Sequence, residues 1–243
     1  MGKIHKELDL TTSERIFFVG DVHGQYDALQ FALESLGFSD NDALISVGDV
    51  IDRGKKSLEC LLFFKHAPNA HMVRGNHEDF FFQSLLEDNA RAKAAWLWNG
   101  GDWSEQYHKD ILKGIAEELK DMPYTLTITH GDTTFGVCHA EAPHKDWDVV
   151  IRDERYSTLQ NLMWERDRID EDDVTISGVT FTVHGHTPRK TVTKKGNQHW
   201  IDTGAQDIQT GDYRMTILEW NDGKFTEHSF GYDTLSRQYQ MFY

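Results

Sequence analysis

Cysteine is scarce in this chain, with two in 243 residues, Cys60 and Cys138. Each lies in an apolar run, so both read as small core residues, and no disulfide framework is implied. A reducing, cytoplasmic setting is the simpler expectation. Positive charge is short as well: 25 Lys+Arg stand against 40 Asp+Glu, a net charge of −15. An acidic surface of that size disfavours nucleic acid and anionic membrane as partners. It does not exclude an anionic substrate in a pocket with its own cations. Long hydrophobic runs are missing, so no membrane span is expected. Met1 to Lys6 has no apolar segment of secretory type. The chain begins Met-Gly, but Lys6 stands where N-myristoylation requires Ser or Thr. No internal repeat, low-complexity stretch or linker is visible, which favours one domain over residues 1–243.

What is present is globular: 39% hydrophobic and 27% charged residues, enough for one α/β domain with a substantial core. Residues 1–14 are polar and read as a loose leading segment. Three units of strand, loop and helix follow. Arg15–Val19 predicts a strand, and apolar positions from Tyr26 to Leu36 predict a helix stopped at Gly37. Strand 43–47 and helix 55–66 form the second unit. Strand 70–73 and the helical run 80–86 form the third. Such alternation predicts a parallel sheet flanked by helices, with ligands at the carboxyl ends of the strands.

Residues 89–122 read as helical, ended by Pro123, and His130-Gly131-Asp132-Thr133 reads as the turn of a β-hairpin. Residues 146–173 read as helix or loop. Later strands are expected at 179–183, 198–202 and 214–220, in a more antiparallel second half. The fold class expected is therefore α/β (α+β), with a helical insertion at about 80–122 and an unassigned part from about 206 to 243.

The loops after the strands carry the chemistry. Gly48-Asp49-Val50-Ile51-Asp52-Arg53-Gly54 holds two carboxylates and a guanidinium between glycines. Asp49 and Asp52 would repel one another unless a cation or a hydrogen-bond donor compensates. Asp21 and His23 follow the first strand, Asn76 and His77 the third, and His139 and His186 follow later ones. Oxygen and imidazole donors of this kind suit a divalent ion of the manganese, iron or zinc type. Loop capping is the commoner explanation of any one of these residues. Three polar loops at equivalent strand ends make it a poor explanation of all.

Gly20-Asp21-Val22-His23-Gly24, the Gly48–Gly54 stretch and Gly75-Asn76-His77-Glu78 resemble the three signature motifs of the phosphoprotein phosphatases, within the calcineurin-like metallophosphoesterases. His139-Ala140-Glu141 and Gly185-His186-Thr187 resemble the two later histidine motifs. Trp164-Glu165-Arg166 is similar to the tryptophan–arginine segment of the bacteriophage lambda and bacterial branch. The resemblance runs to about Ala205.

It implies a two-sheet sandwich and two divalent metal ions, manganese first, with iron or zinc as alternatives. Asp21, His23, Asp49, Asn76, His139 and His186 would be the metal ligands, with Asp49 shared. A hydroxide bridging the metals would attack phosphorus in line. His77 would be the general acid, held by Asp52, and Arg53 and Arg166 would grip the phosphate. The activity implied is Ser/Thr protein phosphatase, on a phosphoprotein, a phosphopeptide or a small phosphoester. A symmetrical bis(5'-nucleosyl)-tetraphosphatase is the alternative, and a phosphodiesterase, a nuclease or an inactive scaffold stands further off. A phage or bacterial origin follows from the branch. The motifs leave the oligomeric state and the native metal open.

Several neighbours compete for these roles. His186 competes with His184, and is preferred as the residue beyond the strand. Arg166 competes with Arg152, Arg155 and Arg168. Glu78 is expected to orient the third loop, and Trp96, Trp98 and Trp103 to pack. The charged runs at 117–121 and 165–173 are expected to be solvated.

Overall fold

The computed structural model describes residues 5–171, 174–231 and 233. The expectations for residues 1–4, for 172–173 in the charged run and for most of the tail from 232 lie outside the described residues.

The chain begins with β1 (His5–Asp9) and β2 (Ile16–Val19), followed by α1 (Tyr26–Ser35). Next come β3 (Ala43–Ser46), α2 (Ser57–His66), β4 (Ala70–Met72) and α3 (Asn76–Leu86). α4 (Ala90–Trp98), a 3-10 turn (Gly101–Gln106) and α5 (Lys109–Leu119) make up the helical stretch before the hairpin of β5 (Thr125–His130) and β6 (Thr133–Cys138). α6 (Trp147–Arg152) and α7 (Tyr156–Trp164) follow. They lead to β7 (Phe181–His184), β8 (Thr193–Lys195), β9 (Gln198–Trp200), β10 (Arg214–Asn221) and β11 (Lys224–Gly231). Among the described residues, no helix is long and apolar enough to cross a membrane.

Two sheets result. One has the order β11-β10-β2-β3-β4, with β2, β3 and β4 parallel and β10 and β11 antiparallel. The other has the order β1-β5-β6-β7-β9-β8. β2 shows why the sheets stack. Its four residues, Ile-Phe-Phe-Val, are all fully buried. Ile16 and Phe18 join Phe135, Val137 and Val183 of the opposite sheet in one cluster, while Phe17 and Val19 join Leu29, Leu61 and Phe81 beneath the helices. A strand apolar on both faces belongs between layers. Truncating Phe18 to alanine would cost about 3–5 kcal/mol.

One expectation needs correction, and two are filled in. Residues 1–14 are not all loose, because β1 pairs in parallel with β5. Its sequence, His-Lys-Glu-Leu-Asp, is mostly charged because it is an edge strand, so it lacks the apolar alternation of a half-buried one. The second half is more antiparallel than the first, as expected: β5–β6, β8–β9, β10–β11 and β10–β2 are antiparallel, while β6–β7 and β7–β9 are parallel. The unassigned part after 206 includes β11 and most of β10's partnerships, which complete the first sheet beside β2.

Candidate metal centre and catalytic rim

Every chemistry-bearing loop leaves the carboxyl end of a strand. Asp21 and His23 follow β2, Asp49 follows β3, His139 follows β6 and His186 follows β7. Asn76 and His77 follow β4, but they form the first turn of α3 rather than a loop. The loops are laced together through their backbones. The N–H groups of Val22 and His23 both donate to the Asp49 carbonyl, at 3.1 and 2.9 Å. The Glu78 carboxylate accepts from the N–H groups of Asp49 (2.8 Å), Val50 (2.9 Å) and Gly75 (2.9 Å). Gly75 passes so close that a Cβ there would collide with the Asp49 carboxylate.

Five of the expected site residues adopt left-handed backbone despite having side chains: His23 (φ 45°), Asp49 (52°), Asp52 (73°), Arg53 (66°) and His186 (65°). Each costs about 1–2 kcal/mol, a strain that structures tolerate at functional positions. Glu78 and the interlaced amides supply the compensation.

The histidines are oriented by backbone carbonyls, which can only accept. His23 Nδ1 lies 2.9 Å from the Ile51 carbonyl, His139 Nδ1 2.8 Å from that of Val47, and His186 Nε2 3.1 Å from that of Trp164. Each ring therefore carries its proton on the nitrogen facing that carbonyl and turns a lone pair inward. The inward His139 Nε2 meets only oxygens, Asp49 Oδ2 at 3.2 Å and Asn76 Oδ1 at 3.0 Å. A lone pair facing two acceptors requires a proton or a cation between them. Burial lowers the His139 pKa, but Asp49 and Asp21 outweigh it and push it up to about 10.

Two groups of donor atoms, each within 4.8 Å of one another, share Asp49: His23–Asp49–His77 and Asp49–His139–His186. Asp21 adjoins the first, its Oδ2 4.0 Å from His23 Nε2, and its carboxylate accepts the His186 N–H. Burial raises the Asp21 carboxyl well above its usual range, and Asp202 adds to this. A buried set of carboxylate, amide and imidazole donors around one shared aspartate fits a pair of divalent cations.

His77 differs from the other histidines. Its Nδ1 lies 2.6 Å from Asp52 Oδ2, a carboxylate instead of a carbonyl. Burial opposes its charging, but Asp49 and Asp52 raise its pKa above the usual value. Asp52 is fully buried, and its other oxygen accepts from the indoles of Trp103 (2.7 Å) and Trp96 (2.9 Å). The Arg53 guanidinium spans the rim, 2.9 Å from His23 Nε2 and 3.2 Å from His77 Nε2.

The structure thus brings Asp21, His23, Asp49, Asp52, Arg53, Asn76, His77, His139 and His186 together. Arg166 is exposed, two residues beyond the Trp164 carbonyl that holds His186. Its rivals lie elsewhere. Arg152 pairs with Asp148 and Arg155 with Asp153 on the surface, while Arg168 turns its Nε and Nη1 inward without a hydrogen-bond partner. His184 is buried against Trp200 and bonded to Thr182, away from the donor groups. Trp96 and Trp103 pack as expected but also bond Asp52, which the sequence did not show; Trp98, expected to pack, is 90% exposed, and Asp202 went unseen. Asp202 follows β9, and burial pushes its carboxyl up to about 6.

Comparison with known proteins points one way. The calcineurin-like phosphoesterase profile matches residues 14–201. The chain is similar to serine/threonine-protein phosphatase 1 of Salmonella typhimurium, 31% identical over 84% of this chain and 92% of that protein. It is similar to a symmetrical bis(5'-nucleosyl)-tetraphosphatase of Haemophilus influenzae, 41% identical over 55% of this chain and 46% of that protein. A solved serine/threonine phosphatase of Saccharomyces cerevisiae shares the fold with a TM-score of 0.66 at 16% identity, over 95% of this chain and 84% of that one.

Proposed function

The chain belongs to the calcineurin-like phosphoesterases, and from that premise we propose that it hydrolyses phosphate monoesters on serine and threonine side chains of proteins. The observation that carries this reading is the His77–Asp52 couple at the edge of two donor groups that share Asp49, His77 itself reaching into the first. This supports reading His77 as a proton donor at the edge of a site suited to cations.

Asp21, His23 and Asp49 would hold one divalent ion, and Asp49, Asn76, His139 and His186 the second. When bound, such a pair supplies an activated water and neutralises charge on the phosphoryl group. Manganese is the first choice, with iron or zinc as alternatives. Arg53 and Arg166 would hold the phosphate oxygens, for which a guanidinium fork is better suited than an ammonium. His77 would give the proton at Nε2 to the departing oxygen while Asp52 keeps Nδ1 protonated. Asp49 and Asp52 thus avoid mutual repulsion, one facing cations and the other His77.

Coverage favours a protein phosphatase. The bacterial phosphatase aligns along nearly its whole length, whereas the tetraphosphatase aligns over less than half of its own. The higher identity in that shorter alignment keeps dinucleoside tetraphosphate as the second substrate class to test. A bacterial or phage cytoplasm and a single domain, with 80–122 inserted, complete the proposal.

The test is a His77→Asn variant assayed on a phosphoserine peptide, p-nitrophenyl phosphate and diadenosine tetraphosphate. On the peptide it should slow turnover by about 10²–10⁴-fold, with a far smaller loss on p-nitrophenyl phosphate, whose leaving group needs no proton. Metal content should stay at the wild-type level. Loss of one metal ion would make His77 a ligand instead. Wild-type turnover confined to the dinucleotide would exclude the protein substrate.

A further inference from the structure

The Asp52 carboxylate is met by three side-chain donors, and two of them come from the helical stretch between α3 and α5. Oδ2 faces His77, and Oδ1 accepts both indole N–H groups, from residues 44 and 51 positions along the chain. The two rings meet nearly edge to face, 6.0 Å apart at 82°, with Phe81 packed against both. Both are almost fully buried. Packing accounts for two buried rings, but it does not account for two indole N–H groups directed at one oxygen. The same segment also grips the next residue: the Gly100 carbonyl accepts the Arg53 N–H at 3.0 Å. Asp52 and Arg53 are consecutive residues in left-handed backbone. Gly101 lies flat against the Trp96 indole, where a Cβ would displace the ring.

We propose that Trp96 and Trp103 are positioning residues for proton donation: their indole N–H groups lock the Asp52 carboxylate so that it aligns His77 toward the leaving oxygen. The inference rests on His77 being the general acid. With Oδ1 saturated by two donors the carboxylate cannot rotate, and Oδ2 stays on His77 Nδ1. Without them a buried carboxylate would lose its preferred orientation and His77 its alignment. In the step served, water loses a proton to solvent as its oxygen bonds to phosphorus, and the ester P–O bond breaks. The departing oxygen takes the Nε2 proton of His77, and solvent returns it. The indoles transfer no proton.

Trp96→Phe and Trp103→Phe, singly and together, test this in the full-length, manganese-supplemented protein. Each single change should lower kcat on a phosphoserine peptide by about 10-fold, and the pair by about 10²-fold, the lower end of what general acid catalysis contributes. On p-nitrophenyl phosphate kcat should stay within about 3-fold, and KM should hold on both substrates, because no phosphate contact is touched. Equal losses on the two substrates, or none, would overturn the proposal.

Proton NMR of the wild type gives a readout independent of turnover. Two indole N–H signals, assigned by their loss in the Phe variants, should shift in Asp52→Asn; if they stay in place, no lock exists. Should His77→Asn prove leaving-group selective while the Trp variants do not, the lock fails and the general acid stands. Should His77→Asn lack that selectivity while the indole signals still shift, the lock is real but the acid assignment falls.

Discussion

Glu78 accepts the backbone N–H of Asp49 at 2.8 Å, joining the first turn of α3 to the loop after β3 across 29 residues of chain. The same carboxylate takes Val50 and Gly75, so one buried side chain satisfies amides of two loops. Glu78→Gln keeps the shape but puts an NH₂ donor against N–H groups. It should destabilise the fold by about 1–3 kcal/mol, the cost of a buried donor left without an acceptor. Urea unfolding measures this. A change under 0.5 kcal/mol, a typical surface value, would show that the loops hold without it.

Asp49 belongs to both donor groups, so a single change should disturb two ions. Asp49→Asn should reduce bound manganese from two equivalents toward none, as read by metal analysis after gel filtration. Turnover should fall by about 10³-fold or more, since cation stabilisation is worth several kcal/mol. Chelation of the wild type should abolish hydrolysis, and manganese should restore it. Retention of one full equivalent by Asp49→Asn would mean that Asp49 serves a single ion.

The rim was legible because its loops follow strands with recognisable cores. Phe17 and Phe18 declare a two-faced buried strand, and the polar cluster after it has no packing reason to exist. Arg53 could be read from its place beside Asp52, and Glu78 from its place in the third loop, ahead of the expected helical run. Trp96 and Trp103 were not legible as partners of Asp52, since an indole N–H bonded 44 or 51 residues away leaves no local pattern. Edge strands were obscure for a related reason. β1 and β8 (Thr193–Lys195) are short and largely charged, so their pairing is decided by the neighbouring strand. The start of α3 at Asn76 was hidden because Gly75 caps it with no side chain of its own.

The arginines divide by exposure. Arg53 spans His23 and His77 on the rim, Arg166 is exposed near His186, and Arg168 is turned inward. Arg53→Ala and Arg166→Ala should each weaken inhibition by inorganic phosphate about 10-fold, as expected for loss of a charge-assisted hydrogen bond worth 1.5–3 kcal/mol. Arg168→Ala should leave the inhibition constant unchanged. A reversed order, with Arg168 sensitive and Arg166 silent, would transfer the phosphate role to Arg168.

Away from the site, Arg15 forks onto Asp42, Nε to Oδ1 at 2.9 Å and Nη2 to Oδ2 at 2.8 Å, and donates to the carbonyls of Leu36 and Gly37 beyond α1. The pair fastens the start of β2 to the start of β3, and the two carbonyl contacts tie both to the end of α1. Burial raises the Asp42 carboxyl, but Arg15 and Ser39 outweigh it and hold its pKa below the ordinary 3.8. A carboxyl depressed in the folded state stabilises fully above its unfolded pKa, and the contribution is lost as pH falls through the folded value. Asp42→Asn should therefore cost about 1.5–3 kcal/mol at pH 7, the range for hydrogen bonds to a charged group. The gap from wild type should narrow below about pH 4, where the unfolded carboxyl protonates. Urea unfolding of both proteins at pH 7 and pH 3.5 decides it. An identical gap at both would trace the loss to the amide NH₂ set against Arg15 rather than to the charge of the carboxylate.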